Sequence, residues 1–214
     1  MSNIELAKGI YWVGAVDWDV RDFHGYSTYK GTTYNAFLVI DKKVTLFDTV
    51  KRSHYGELLR NIRAIIDPEK IDYIVVNHVE LDHSGCLPEM MDLIKPEKVF
   101  CSPMGQKAII DHFHRDDWPF EVVKSGNEVS IGKRTIQFIE TRMLHWPDSM
   151  FSFLKEDGIL FSSDAFGQHY ASNERFDDEV DMSVVMQESA KYYANILYLF
   201  SPLIKKLLAA VAEM

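Results

Sequence analysis

The 214-residue chain reads as an α+β protein, a sandwich of two mixed β-sheets with helices outside. Three observations carry that reading. Short β-like runs fall in an early and a late block, with strands and helical stripes interleaved between them. The largely apolar run Ile71–Val76 has the character of a strand covered on both faces. The turns Asp41-Lys42-Lys43 and Glu156-Asp157-Gly158 join neighbouring runs as hairpins. No internal repeat, low-complexity tract or Gly/Pro/Ser-rich linker divides the chain, so residues 1–214 read as a single domain.

Taken in order, the early strands are expected at Gly9–Val16, Tyr34–Ile40 and Val44–Val50. His54–Ile66 carries Leu58, Leu59, Ile62, Ile65 and Ile66 on one stripe and is expected as a helix ended by Pro68. After the strand Ile71–Val76 come a helix through Pro88–Ile94, a strand Lys98–Cys101 and a helix Gly105–Phe113. The late strands are Glu121–Val123, Thr135–Glu140, Met150–Lys155 and Ile159–Ser163. The pattern turns helical from Met182 through Phe200, and Pro202–Met214 reads as one more helix.

Composition narrows the function. The formal net charge is −9, which repels phosphate backbones and anionic lipid, so no nucleic-acid or membrane partner is expected. No uninterrupted apolar run of about 18 residues is present, and the N-terminus lacks the basic-then-apolar pattern of a secretory signal. Cys86 and Cys101 lack CxxC spacing and read as reduced thiols of a cytoplasmic protein.

The densest chemistry is "NHVELDHSG" at residues 77–85. It follows an apolar strand and places His78, Glu80, Asp82 and His83 within six positions. Buried carboxylates and imidazoles are costly without partners, and a metal ion is the simplest partner. In extended chain the two-residue spacing would aim His78, Glu80 and Asp82 to one side, with His83 pointing elsewhere. His145 and Asp164 also follow apolar strands. Singly, each has an ordinary reading as a cap, turn or solvated loop charge; as a set they read as a metal site.

The pattern HxExDH with the later His145 and Asp164 resembles the flavodiiron proteins, or rubredoxin:oxygen oxidoreductases, of the metallo-β-lactamase fold. The stretches "DWDVRDFHGY", "GTTYNAFLV", "TLFDTVK", "ETRMLHWPDSM", "SSDAFGQ", "SNERF" and "YYANI" are similar to that family as well. The resemblance implies an αββα sandwich and a non-haem diiron centre. His78, Glu80 and His145 would hold one iron, Asp82 and His83 the other, and Asp164 would bridge them. Glu80 stands where zinc hydrolases of this fold carry a second histidine, and a carboxylate there favours iron over zinc. The resemblance places His24, Tyr26 and Tyr193 near the open face as hydrogen-bond donors, and Trp146 as a wall.

It also implies reduction of O2 to water, or of NO to N2O, with electrons from FMN on a flavodoxin-like domain or a rubredoxin-like donor, in a head-to-tail homodimer. A stand-alone O2-binding sensor and a zinc-dependent hydrolase are the alternatives. The family's further histidine ligand and its FMN domain are not within residues 1–214. On this reading the chain is a fragment or a shortened relative, with a weaker second iron site.

Overall fold

The computed structural model describes residues 4–212. In chain order the strands begin with β1 (Ile4–Ala7), β2 (Ile10–Trp12), β3 (Ala15–Asp17), β4 (Asp22–Phe23), β5 (Tyr26–Ser27), β6 (Thr32–Tyr34), β7 (Phe37–Val39) and β8 (Thr45–Phe47). Helix α1 (Tyr55–Arg63), β9 (Tyr73–Val76), α2 (Leu81–Ser84), α3 (Leu87–Ile94), β10 (Lys98–Cys101) and α4 (Pro103–Phe113) follow. Then come β11 (Phe120–Val122), β12 (Glu128–Ser130), β13 (Thr135–Glu140), β14 (Met150–Leu154), β15 (Ile159–Phe161), α5 (Met182–Tyr192) and α6 (Ser201–Val211). Contacts group these into two compact units. The first holds the N-terminal segment through Ala15 with Tyr34–Arg142 and Pro147–Ser163. The second holds Val16–Thr33, Met143–Trp146 and the chain from Asp164.

The first unit contains both large sheets. One is seven-stranded, in the order β1-β2-β7-β8-β9-β10-β11; the other is four-stranded, β12-β13-β14-β15. The first is mixed: β7 runs antiparallel to β8, whereas β8, β9, β10 and β11 run parallel. Parallel strands need both faces covered, and Ile74, Val75 and Val76 are accordingly buried. Aromatic rings join the sheets. Phe47 and Phe161 have centroids 4.3 Å apart, and Phe100 and Phe138 5.7 Å. Around them Ile10, Val39, Ile136, Met150 and Leu154 close one apolar core.

Turn chemistry ties down one end of the sandwich. Arg134 donates to both carboxylate oxygens of Asp157, at 2.7 and 3.2 Å, and to the Lys8 carbonyl at 2.6 Å. Asp41 accepts from the Lys133 and Arg134 amides at 3.0 and 3.1 Å. Helix α4 starts with Ser102 accepting from the Gly105 amide at 2.9 Å and with proline at its first turn.

In the second unit β4 and β5 form a two-stranded hairpin whose loop is His24-Gly25. Both loop residues have positive φ, 54° and 76°, the signature of a type I′ turn. Helix α5 begins at an Asp181 cap and passes into a π-turn, Tyr193–Leu197, and a 3-10 turn, Tyr198–Phe200. Pro202, which cannot donate to the preceding turn, explains the break before α6. The expected helix Pro202–Met214 reaches residues 213–214, outside the described residues. Although no uninterrupted apolar run exists, the helical stretch Met182–Val211 has a window of mean hydropathy 1.4, long and apolar enough to cross a membrane by length and composition.

Candidate metal centre

The first unit supplies one donor set, built on the ends of β8 and β9. Asp48 follows β8 and is fully buried with φ 55°. Its carboxylate accepts from the Asn77 amide at 2.7 Å and from Asn77 Nδ2 at 3.1 Å. Asn77 Oδ1 accepts from Ser152 Oγ at 2.6 Å, and its carbonyl accepts from the Met150 amide at 3.0 Å. Asn77 is thus held from β8 and β14 immediately before His78. Burial pushes the Asp48 carboxyl up to about 6, against the pull of His83 and the Asn77 hydrogen bonds.

His78 is fully buried. Its Nδ1 lies 2.9 Å from Asp148 Oδ2, and the same oxygen accepts from the Val79 amide at 2.7 Å. An ionised carboxylate only accepts, so Nδ1 carries the proton and Nε2 presents its lone pair. That Nε2 faces Glu80 Oε2 at 3.3 Å. Two acceptors facing each other require a cation or a proton between them. A carboxylate that orients an imidazole from behind is the usual outer partner of a metal-binding histidine.

Beyond Glu80 the chain is not extended. Leu81–Ser84 is a helical turn, its start stabilised by Ser84 Oγ donating to the Val79 carbonyl at 2.6 Å. This corrects the extended-chain geometry: Asp82 and His83 are adjacent helical residues, about 100° apart around the axis. Their side chains approach each other, with His83 Nε2 3.4 Å from Asp82 Oδ2, and both are buried. Thr49 holds this turn by donating twice to the His83 carbonyl, from its amide at 2.7 Å and its hydroxyl at 2.8 Å. Gly85 is needed after it. A Cβ there would lie 2.3 Å from the Leu81 carbonyl and 2.8 Å from the Arg52 amide.

The second unit supplies the other set. His145 sits in a loop closed by the Met143 amide donating to the Trp146 carbonyl at 2.8 Å. Its Nε2 lies 3.0 Å from Asp164 Oδ2. Trp146 meets His145 edge-on at 6.1 Å but is about one-third exposed, 36%. His24, at the hairpin tip, stands edge-on to His145 at 5.7 Å. The Tyr26 hydroxyl is buried with no hydrogen-bond partner among the described residues. Burial, then the charges of Glu188 and Asp164, hold it well above the usual phenol range, so it remains protonated. Tyr193 does not join this group: it is 37% exposed and hydrogen-bonds Ser201 Oγ at 2.6 Å. Its neighbour Tyr192 is the buried one, with its ring 6.3 Å from His24 and 5.4 Å from His169. One step around a helix exchanges an inward for an outward side chain.

Both donor sets are carboxylate and imidazole with no thiolate, which suits a hard, redox-active ion such as iron. Cys86 and Cys101 are free and buried, and burial pushes both thiols up to about 12. They take no part. Sequence reasoning passed over Asp148, His169 and Tyr192. Asp148 lies in the quoted stretch "TRMLHWPDSM", three residues after His145, and that proximity was the signal available.

The sheets and donors define a metallo-β-lactamase-like fold carrying a metal-type site. The chain belongs to the family described as ODP family beta lactamase, which matches residues 32–209. It is 52% identical over 203 residues to the rubredoxin-oxygen oxidoreductase of Megalodesulfovibrio gigas, covering 94% of this chain and 50% of that protein. It is 49% identical over 212 residues to a nitric oxide reductase of Moorella thermoacetica, covering 98% and 53%. The flavodiiron protein structure from Giardia intestinalis matches with a TM-score of 0.96 at 40% identity, over 100% of this chain and 52% of that one. The chain therefore spans about half the length of these relatives.

Proposed function

We propose that this chain is the diiron part of an O2 and/or NO reductase. His78, Glu80 and His145 would hold one iron, Asp82 and His83 the second, and Asp164 would bridge. Iron held there would supply electrons and open positions for a diatomic ligand. The electrons would come from FMN held outside these 214 residues, or through a rubredoxin-like donor, in a cytoplasmic head-to-tail homodimer. The observation that carries the reading is the buried His78, backed by Asp148 and turned towards Glu80.

The protein's own groups have separable tasks. Asp148 orients His78 and fixes its tautomer. Thr49 and Ser84 hold the turn bearing Asp82 and His83. Tyr26, protonated and with its hydroxyl buried, is a hydrogen-bond donor for a bound oxygen atom. Glu80 argues against hydrolysis, since it adds negative charge where a zinc hydrolase keeps a neutral imidazole.

The test is to load the chain anaerobically with Fe(II), remove excess metal, and measure retained iron, O2 and NO uptake, and N2O formation. Retained iron with uptake of either gas supports the proposal. A protein that rejects iron, keeps zinc and hydrolyses a lactam or thioester contradicts it.

A further inference from the structure

The second unit contains a buried hydrogen-bond chain that neither the ligand set nor Tyr26 accounts for. Thr32 Oγ1 lies 2.8 Å from His169 Nδ1, and His169 Nε2 lies 3.1 Å from His24 Nδ1. Thr32 and His169 are buried, at 2% and 5% exposure. The far end is clamped, since Phe23 stacks on His24 with centroids 4.2 Å apart and planes 20° from parallel.

We propose that His169 is a positioning residue that relays the Thr32 hydroxyl to His24 and fixes His24 with its proton on Nε2, as a hydrogen-bond donor. The argument is a proton count. Only one of the two facing nitrogens, His169 Nε2 and His24 Nδ1, can carry the shared proton. If His24 Nδ1 carried it, His169 would be protonated on Nδ1 and would donate to Thr32. The Thr32 hydroxyl hydrogen would then need another acceptor, whereas His169 Nδ1 is the hydrogen-bond partner of Thr32 Oγ1 among the described residues. A buried donor without an acceptor is the costly case. In the other arrangement each of the two contacts pairs one donor with one acceptor: Thr32 donates to His169 Nδ1, His169 Nε2 donates to His24 Nδ1, and His24 keeps Nε2–H. That tautomer should dominate by about tenfold or more. His24 then offers a donor suited to an oxygen or nitrogen atom of a bound diatomic, and has no lone pair free to act as a metal ligand or base. The use of this donor rests on the O2/NO reading above; the tautomer itself does not.

The test is long-range 1H–15N correlation of the histidine rings in the full chain, labelled with 15N-histidine, metal-free and at neutral to mildly alkaline pH. The expected result is Nε2–H at both His24 and His169, with T32S unchanged and H169F, which removes the donor to His24 Nδ1, letting Nδ1–H appear at His24. A wild-type His24 bearing Nδ1–H overturns the proposal, as does a folded H169F chain with the wild-type His24 tautomer. If H169F does not fold, the wild-type and T32S spectra still decide. This readout needs neither iron nor turnover, so failure of the reductase reading and failure of the relay are seen separately.

Discussion

Replacing Asp148 tests the support behind His78. The carboxylate is 3% exposed, and one oxygen accepts from His78 Nδ1 at 2.9 Å and from the Val79 amide at 2.7 Å. D148A leaves two buried N–H groups without an acceptor. At about 1–3 kcal/mol each, the metal-free chain should lose about 2–6 kcal/mol, a large share of a typical domain's stability. D148N is the sharper variant. Its carbonyl oxygen can accept both hydrogen bonds, so most stability should survive while the charge that strengthens His78 as a donor is gone. Loss of such an outer partner typically costs about 10–100-fold in metal affinity. Urea unfolding of the metal-free variants gives the first quantity, and Fe(II) competition with a chelator gives the second. Iron affinity of D148N within about threefold of wild type, set against that 10–100-fold expectation, would refute the role given to Asp148. So would a D148A chain as stable as wild type.

Four further outcomes follow from the same contacts. Phe138 is fully buried between the sheets, so F138A should cost about 3–5 kcal/mol in urea unfolding; a loss under about 1 kcal/mol would argue against the two-sheet core. A Cβ at Gly85 meets backbone on two sides, so G85A should destabilise the chain and weaken iron binding together, and an unaffected iron titration would count against the placement of the Leu81–Ser84 turn. Burial holds both thiols up to about 12, so a thiol reagent at pH 8 should find neither Cys86 nor Cys101 until denaturant is added; prompt native labelling would contradict the burial. Asp48 binds its proton more tightly folded, at about 6, than at its ordinary 3.8. Its contribution is therefore fully present below about pH 4 and is lost as pH rises through about 6, by about 3 kcal/mol at most. D48N should flatten that part of the metal-free stability profile, and an unchanged slope would show that Asp48 titrates normally.

Long apolar elements were legible residue by residue. Lys98–Cys101 and Thr135–Glu140 match their strands end to end, the first because Val99, Phe100 and Cys101 are a continuous buried run and the second because Ile136 and Phe138 are buried at alternate positions. The hairpin β4–β5 has only two residues per strand and shows no periodicity; its signal was the turn pair His24-Gly25. Strand β12 was missed because its residues are half-buried or exposed. The residue types of the donor set were readable, but their geometry was not. The two-residue spacing of His78, Glu80 and Asp82 suggested extended chain, whereas hydrogen bonds from Thr49 and Ser84, distant in sequence or facing backwards, make residues 81–84 helical. Tyr192 and Tyr193 are adjacent and chemically identical, so only the helix phase, set by packing on His24 and His169, separates them.

X-ray absorption and anomalous diffraction at the iron K-edge, on the anaerobically iron-loaded chain, test the central claim most directly. The account predicts an iron coordinated by the imidazole of His78 and the carboxylate of Glu80, with a second at Asp82 and His83. Absence of any iron signal there, or a single zinc in its place, would contradict it.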